Sequence, residues 1–126
     1  MVYQRSTAPL AAFATWLAAP QLPGRWLLEQ ALAVLRRDVQ LEPAFVAYPA
    51  LPRLATDDPG AAVEVVRLMV TTDVEGWSIS GSETEVRAVV SAALDASDPN
   101  AGADGRRLAE LLLAQGFMSF RELLIT

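Results

Sequence analysis

The chain has 126 residues, a net charge of −5 and 52% hydrophobic content, with no His and no Cys; all ten of its basic residues are Arg. That inventory excludes Ser-His-Asp and Cys-His catalysis, His- or Cys-ligated zinc, iron–sulfur ligation, disulfides, lysine Schiff bases and the P-loop lysine. The length fits one domain with a substantial core, and the acidic balance argues against a nucleic-acid surface, which needs clustered cations to displace counterions.

Thr7-Ala8-Pro9 opens a first helix that is expected to run to about residue 18, with Leu10, Phe13, Trp16 and Leu17 on one stripe. Arg5 followed by the apolar stretch 10–19 has the outline of a signal peptide. Trp16 and the shortness of that stretch instead favour an ordinary helix start and a cytoplasmic chain. Nowhere does an apolar run approach the roughly 20 residues that span a bilayer. Pro20 to Gly24 breaks the pattern, and a second helix is expected over about 25–39, with Leu28, Ala31, Leu32 and Leu35 inward and Glu29, Gln30, Arg36 and Arg37 wet. The third, 44–55, contains Pro49 and Pro52. Each proline removes a donor and crowds the preceding turn, so a kink or a break into two pieces is expected there.

Asp57-Asp58-Pro59 joins an acidic cap to proline at the first helical position and starts a fourth helix to about residue 72. That helix is apolar nearly all round, which predicts a place at the centre of the fold. A turn-rich stretch, 73–81, carries Trp77. Ser82-Glu-Thr-Glu85 reads as a capping box for a fifth helix to about residue 96, with Val86, Val89, Val90, Ala93 and Leu94 inward. Asp98-Pro99 caps the sixth, whose first turns Gly102 and Gly105 weaken, and Gly116 is its expected C-cap. Ser119-Phe-Arg-Glu122 reads as a second capping box before a last short turn.

Leu54-Ala-Thr-Asp-Asp-Pro59 and Leu94-Asp-Ala-Ser-Asp-Pro99 lie forty residues apart, and Val46/Val86, Ala61/Ala101, Arg67/Arg107 and Leu68/Leu108 keep the same offset. A period near 40 is the mark of stacked helical hairpins. Two helices per unit, a proline-bent first helix, an Asp-Pro turn and Arg plus Leu in the second helix resemble the HEAT/armadillo type of repeat in a bacterial protein. The likeness is clearest over 45–116, while 1–40 matches in character only. The fold expected is therefore all-α, stacked antiparallel helical hairpins with about six helices. It forms one domain over 1–126, with a leading pair in 1–40, a first clear repeat in 41–80, and a second repeat with C-terminal cap in 81–126.

The resemblance implies a non-catalytic protein–protein interaction or scaffold module, part of or partner to a larger enzyme or NTPase, with a protein partner or self-association, no nucleic acid and no membrane. A compact death-like adaptor bundle and a small enzyme using Asp, Ser and Arg are the alternatives. No catalytic, cofactor or metal residue is expected. Asp57, Asp58, Asp95 and Asp98 lack the short regular spacing of a calcium loop and read as helix caps. The pairs Arg36-Arg37 and Arg106-Arg107 are flanked by carboxylates and read as solvated faces. Phe13 and Trp16 on the leading helix, and Trp77 in the long turn, are the candidate partner-binding side chains, since large aromatics anchor interfaces.

Overall fold

The computed structural model describes residues 17, 22–37, 44–72, 79 and 81–125, the side chains of 44–46 and 72 excepted. Among them are six α-helices and one 3-10 turn: α1 (Gly24–Leu35), α2 (Ala44–Ala55), α3 (Pro59–Thr72), α4 (Glu83–Asp95), α5 (Pro99–Ala114), the turn Met118–Phe120, and α6 (Arg121–Ile125). No described segment is a strand. No helix among the described residues is long and apolar enough to cross a membrane.

The Asp-Pro starts form as expected. The Asp58 carboxylate accepts from the Ala61 backbone N–H at 3.1 Å, and the Asp98 carboxylate accepts from Asn100 at 2.9 Å. Proline follows each, where its missing donor is not needed. At the other end of α5, Gly116 takes φ +102°, a region that costs a side chain with a Cβ. Its N–H donates to the Leu113 carbonyl and that of Phe117 to Leu112, both at 3.0 Å, closing the helix in a Schellman motif.

One local expectation is narrowed, the break in α2 being absent, and two are corrected. The helix α2 runs unbroken from Ala44 to Ala55 with Pro49 and Pro52 both inside it. Pro49 is exposed and Pro52 half-buried, while Ala47, Tyr48, Ala50, Leu51 and Leu54 are buried, so the prolines fall away from the core and packing holds the helix together across them. Ser82 does begin α4, but at φ −121°, ψ 17°, outside the extended region a capping serine adopts, and its side chain makes no cap bond. Nor do Ser119 and Glu122 form a box. The Ser119 hydroxyl lies 3.4 Å from Glu83 Oε2, and Glu122 accepts from Arg87 Nη2 at 3.3 Å, so both side chains reach back to α4.

Packing follows a simple plan. The helix α2 pairs with α3, and α4 with α5, across short connections; α2 also lies against α4, and α3 against both α1 and α5. One layer is thus α1, α3 and α5, and the other is α2 and α4. The helix α3 touches α1, α2, α4 and α5, the central place its apolar sequence predicts. Ala62, Val63, Val65, Val66, Met69 and Val70 are all buried along it.

Within the first layer the helix starts lie side by side. A Cβ on Gly24 would collide with the Asp57 carboxylate, Arg25 Nε is 3.7 Å from Asp58 Oδ2, and Gly60 abuts the Ala101 side chain. The three helices therefore run in one direction. In the second layer, Arg53 of α2 donates to the carbonyl of Leu17, a buried helical residue, at 2.9 Å. This bond ties Leu17 to α2.

Candidate functional site

Parallel helices packed in a layer place residues of like register in a row across the layer. The row that carries chemistry here consists of Arg36 after α1, Glu64 and Arg67 on α3, and Asp104 and Arg107 on α5. These five charges line a groove of about 530 Å³, with Leu32, Ala61 and Val63 as its apolar lining.

On both α3 and α5 the acid precedes its arginine by three residues, so the pair shares one helix face. Arg67 forks onto Glu64, with Nε on Oε1 at 2.5 Å and Nη2 on Oε2 at 2.9 Å. Arg107 Nη1 meets Asp104 Oδ1 at 3.2 Å. Among the described residues Arg36 forms no ion pair. The signs alternate across the three helices and sum to one net positive charge, three guanidiniums against two carboxylates, on a chain whose total is −5.

The charges act on one another across helices. The hydrogen bond from Arg67 holds the Glu64 carboxyl below the usual carboxylate range; partial burial opposes this, and the fields of Arg67 and Arg36 add to it. The same bond raises the Arg67 guanidinium, with the charges of Glu64 and Asp104 supporting it against desolvation. Glu64 therefore stays ionised and occupied by its own arginine. Such a carboxylate is a poor proton donor near neutral pH.

No protein-family model, curated protein or solved structure matches this chain. The groove's own geometry must carry the functional reading.

Phe13, Trp16 and Trp77, the partner-binding candidates of the sequence, lie outside the described residues. The groove uses a different set. Arg36 and Arg107 each belong to a basic pair that reads from sequence as a solvated face, and both remain exposed. Along the chain nothing says that they converge. One signal was available: Glu64/Asp104 keeps the same forty-residue offset as Arg67/Arg107, so the acid–arginine pair repeats as a unit. Arg36 precedes Arg67 by 31 residues and breaks that period. Elsewhere among the described residues no group of three or more acidic side chains could hold a metal ion.

Proposed function

We propose that the chain is a non-catalytic protein–protein interaction or scaffold module of the HEAT/armadillo-like kind, and that its partner lies against the layer formed by α1, α3 and α5. The observation that carries this reading is the charged groove running across three parallel helices of one layer. A surface of that extent matches a polypeptide better than a small substrate, and its arginines are the residue type enriched at interfaces. The groove's carboxylates are engaged by arginines three residues on, which favours recognition over acid–base chemistry. Support for the repeat assignment, against a compact death-like bundle, comes from the neighbour pattern, in which alternate helices pack on one another within two layers.

The test is site-specific photo-crosslinking in the native cell. A benzophenone side chain replaces Ala33 or Ala103, exposed positions one turn from Arg36 and Arg107, or Ala88, exposed on α4 in the other layer. Polypeptide adducts are expected from Ala33 and Ala103 and not from Ala88. Adducts from Ala88 alone, or from none of the three, would refute the assignment of this face.

A further inference from the structure

The geometry points to an acidic, extended stretch of a partner polypeptide as the occupant of the groove across α1, α3 and α5, its carboxylates bound by Arg36 and Arg107 and its apolar side chains set against Ala61, the partly exposed member of the apolar lining. This deepens the interaction-module reading and rests on it.

Charge complementarity selects the occupant. The groove is locally positive on an otherwise acidic chain, so an acidic ligand is repelled by most of the surface and attracted here, an arrangement that favours register over indiscriminate adhesion. Arg107 is held by Asp104 through Nη1 and bonds to no other side chain among the described residues, and Arg36 brings a guanidinium with no ion pair to a described residue. Guanidinium groups bind carboxylates bidentately, with directional hydrogen bonds. Arg67, forked onto Glu64, forms the fixed middle of the row.

Extent selects a polypeptide over a small anion. Packed helix axes lie about 8–10 Å apart, so α1 and α5 on either side of α3 are separated by roughly 16–20 Å. A phosphate or a small carboxylate meets one guanidinium at a time over such a distance. An extended chain rises about 3.3 Å per residue, so some five or six residues cover it, with alternate side chains facing the groove. The pattern expected in the partner is acidic residues at the ends of such a stretch with apolar ones between.

The probe is a fluorescein-labelled peptide Glu-Ser-Leu-Ser-Leu-Ser-Glu, which sets its Glu and Leu side chains on one face of an extended chain, read by fluorescence anisotropy against the full chain, with its Gln-for-Glu analogue as control. Saturable binding is expected, weakening with added salt, and the Gln analogue should bind about tenfold more weakly or worse, the scale of one charge-assisted hydrogen bond. Arg36→Glu and Arg107→Glu should each cause a loss of similar size. Arg106→Glu, the same charge change one residue outside the groove, should leave binding within about twofold, because rim charges contribute little. Helical circular dichroism checks that each variant is folded, which the exposure of all three arginines favours.

Absence of saturable binding, equal binding of the Gln analogue, or equal effects of Arg106→Glu and Arg107→Glu would overturn the proposal. So would displacement of the peptide by inorganic phosphate at equimolar concentration, which would make the site one for small anions. Failure here with polypeptide adducts still forming at Ala33 and Ala103 removes the acidic class and leaves the interaction module; failure of both removes both.

Discussion

At Gly105 a Cβ would sit 2.9 Å from that of Ala93 and 3.5 Å from the Val90 carbonyl oxygen, neither of which can swing aside. The glycine is what lets α5 approach α4 so closely, and its cost in helix propensity is the price of that contact. Gly102, three residues earlier in the same helix, meets only the Ala93 carbonyl oxygen at 3.8 Å. One substitution should therefore act with opposite signs. Gly102→Ala should stabilise by about 0.5–1 kcal/mol through propensity and the unfolded chain's entropy. Gly105→Ala should destabilise by about 1–2 kcal/mol, since overpacking outweighs the same gain. Urea midpoints of the two variants decide it, and a gain at Gly105 would mean that the two helices separate freely. The Glu64–Arg67 pair gives a second expectation. Because the folded chain holds the Glu64 pKa down, the pair's contribution is present above the unfolded carboxyl's pKa and is lost as pH falls through the folded one. The pair is partly exposed, so Glu64→Gln should cost less than about 1 kcal/mol at neutral pH. The gap between wild type and variant should narrow in urea titrations as pH falls below the ordinary carboxylate range. A gap independent of pH would assign the loss to packing instead of charge.

Pro49 poses the sharpest question among the helices, because α2 continues through it. Its ring denies the helix one hydrogen bond, yet the residue is exposed and the neighbouring Tyr48, Leu51 and Leu54 are fully buried. Tertiary burial thus overrides a local preference worth about 3 kcal/mol in an isolated helix. Pro49→Ala should restore the donor without removing a core contact and raise stability by about 1–3 kcal/mol in chemical denaturation. No gain would mean that the freed carbonyl is already satisfied by solvent. The same contrast explains which elements the sequence made legible. Helix starts at Asp58-Pro59 and Asp98-Pro99 and the stop at Gly116 depend on atoms within five residues of one another, so local pattern suffices. The inward faces of α1 and α4 were readable from spacing alone, because burial follows the 3.6-residue period. Ser119 and Glu122 misled for the opposite reason: their partners Glu83 and Arg87 are more than thirty residues away. The groove lay furthest from view. Arg36 and Arg107 come together only when three helices align, and the sequence offers just the repeated Glu64–Arg67 and Asp104–Arg107 spacing as a clue.

For the whole molecule, the neighbour pattern sets how the chain should unfold. The helix α3 is shared: α1, α2, α4 and α5 all pack on it, so neither hairpin can leave without exposing its valines. In long repeat arrays each unit contributes its own stability plus a term from each neighbour, and partial unfolding is common. Here one helix serves both helical pairs, so a single cooperative transition is expected, with tryptophan fluorescence and far-ultraviolet circular dichroism coinciding through the urea titration. A chain ending at Gly81 lacks α4 and α5 and leaves two sides of α3 and one of α2 bare. Such a fragment cannot bury enough apolar surface to offset the entropy of ordering its helices, and it should show a shallow, non-sigmoidal loss of helical signal. If the fragment instead unfolds sharply with the full chain's midpoint, the α2–α3 hairpin and its leading segment are self-sufficient. The two halves of the chain, α1–α3 and α4–α6, would then be bodies that merely touch, and a groove crossing from α1 to α5 could open and close between them.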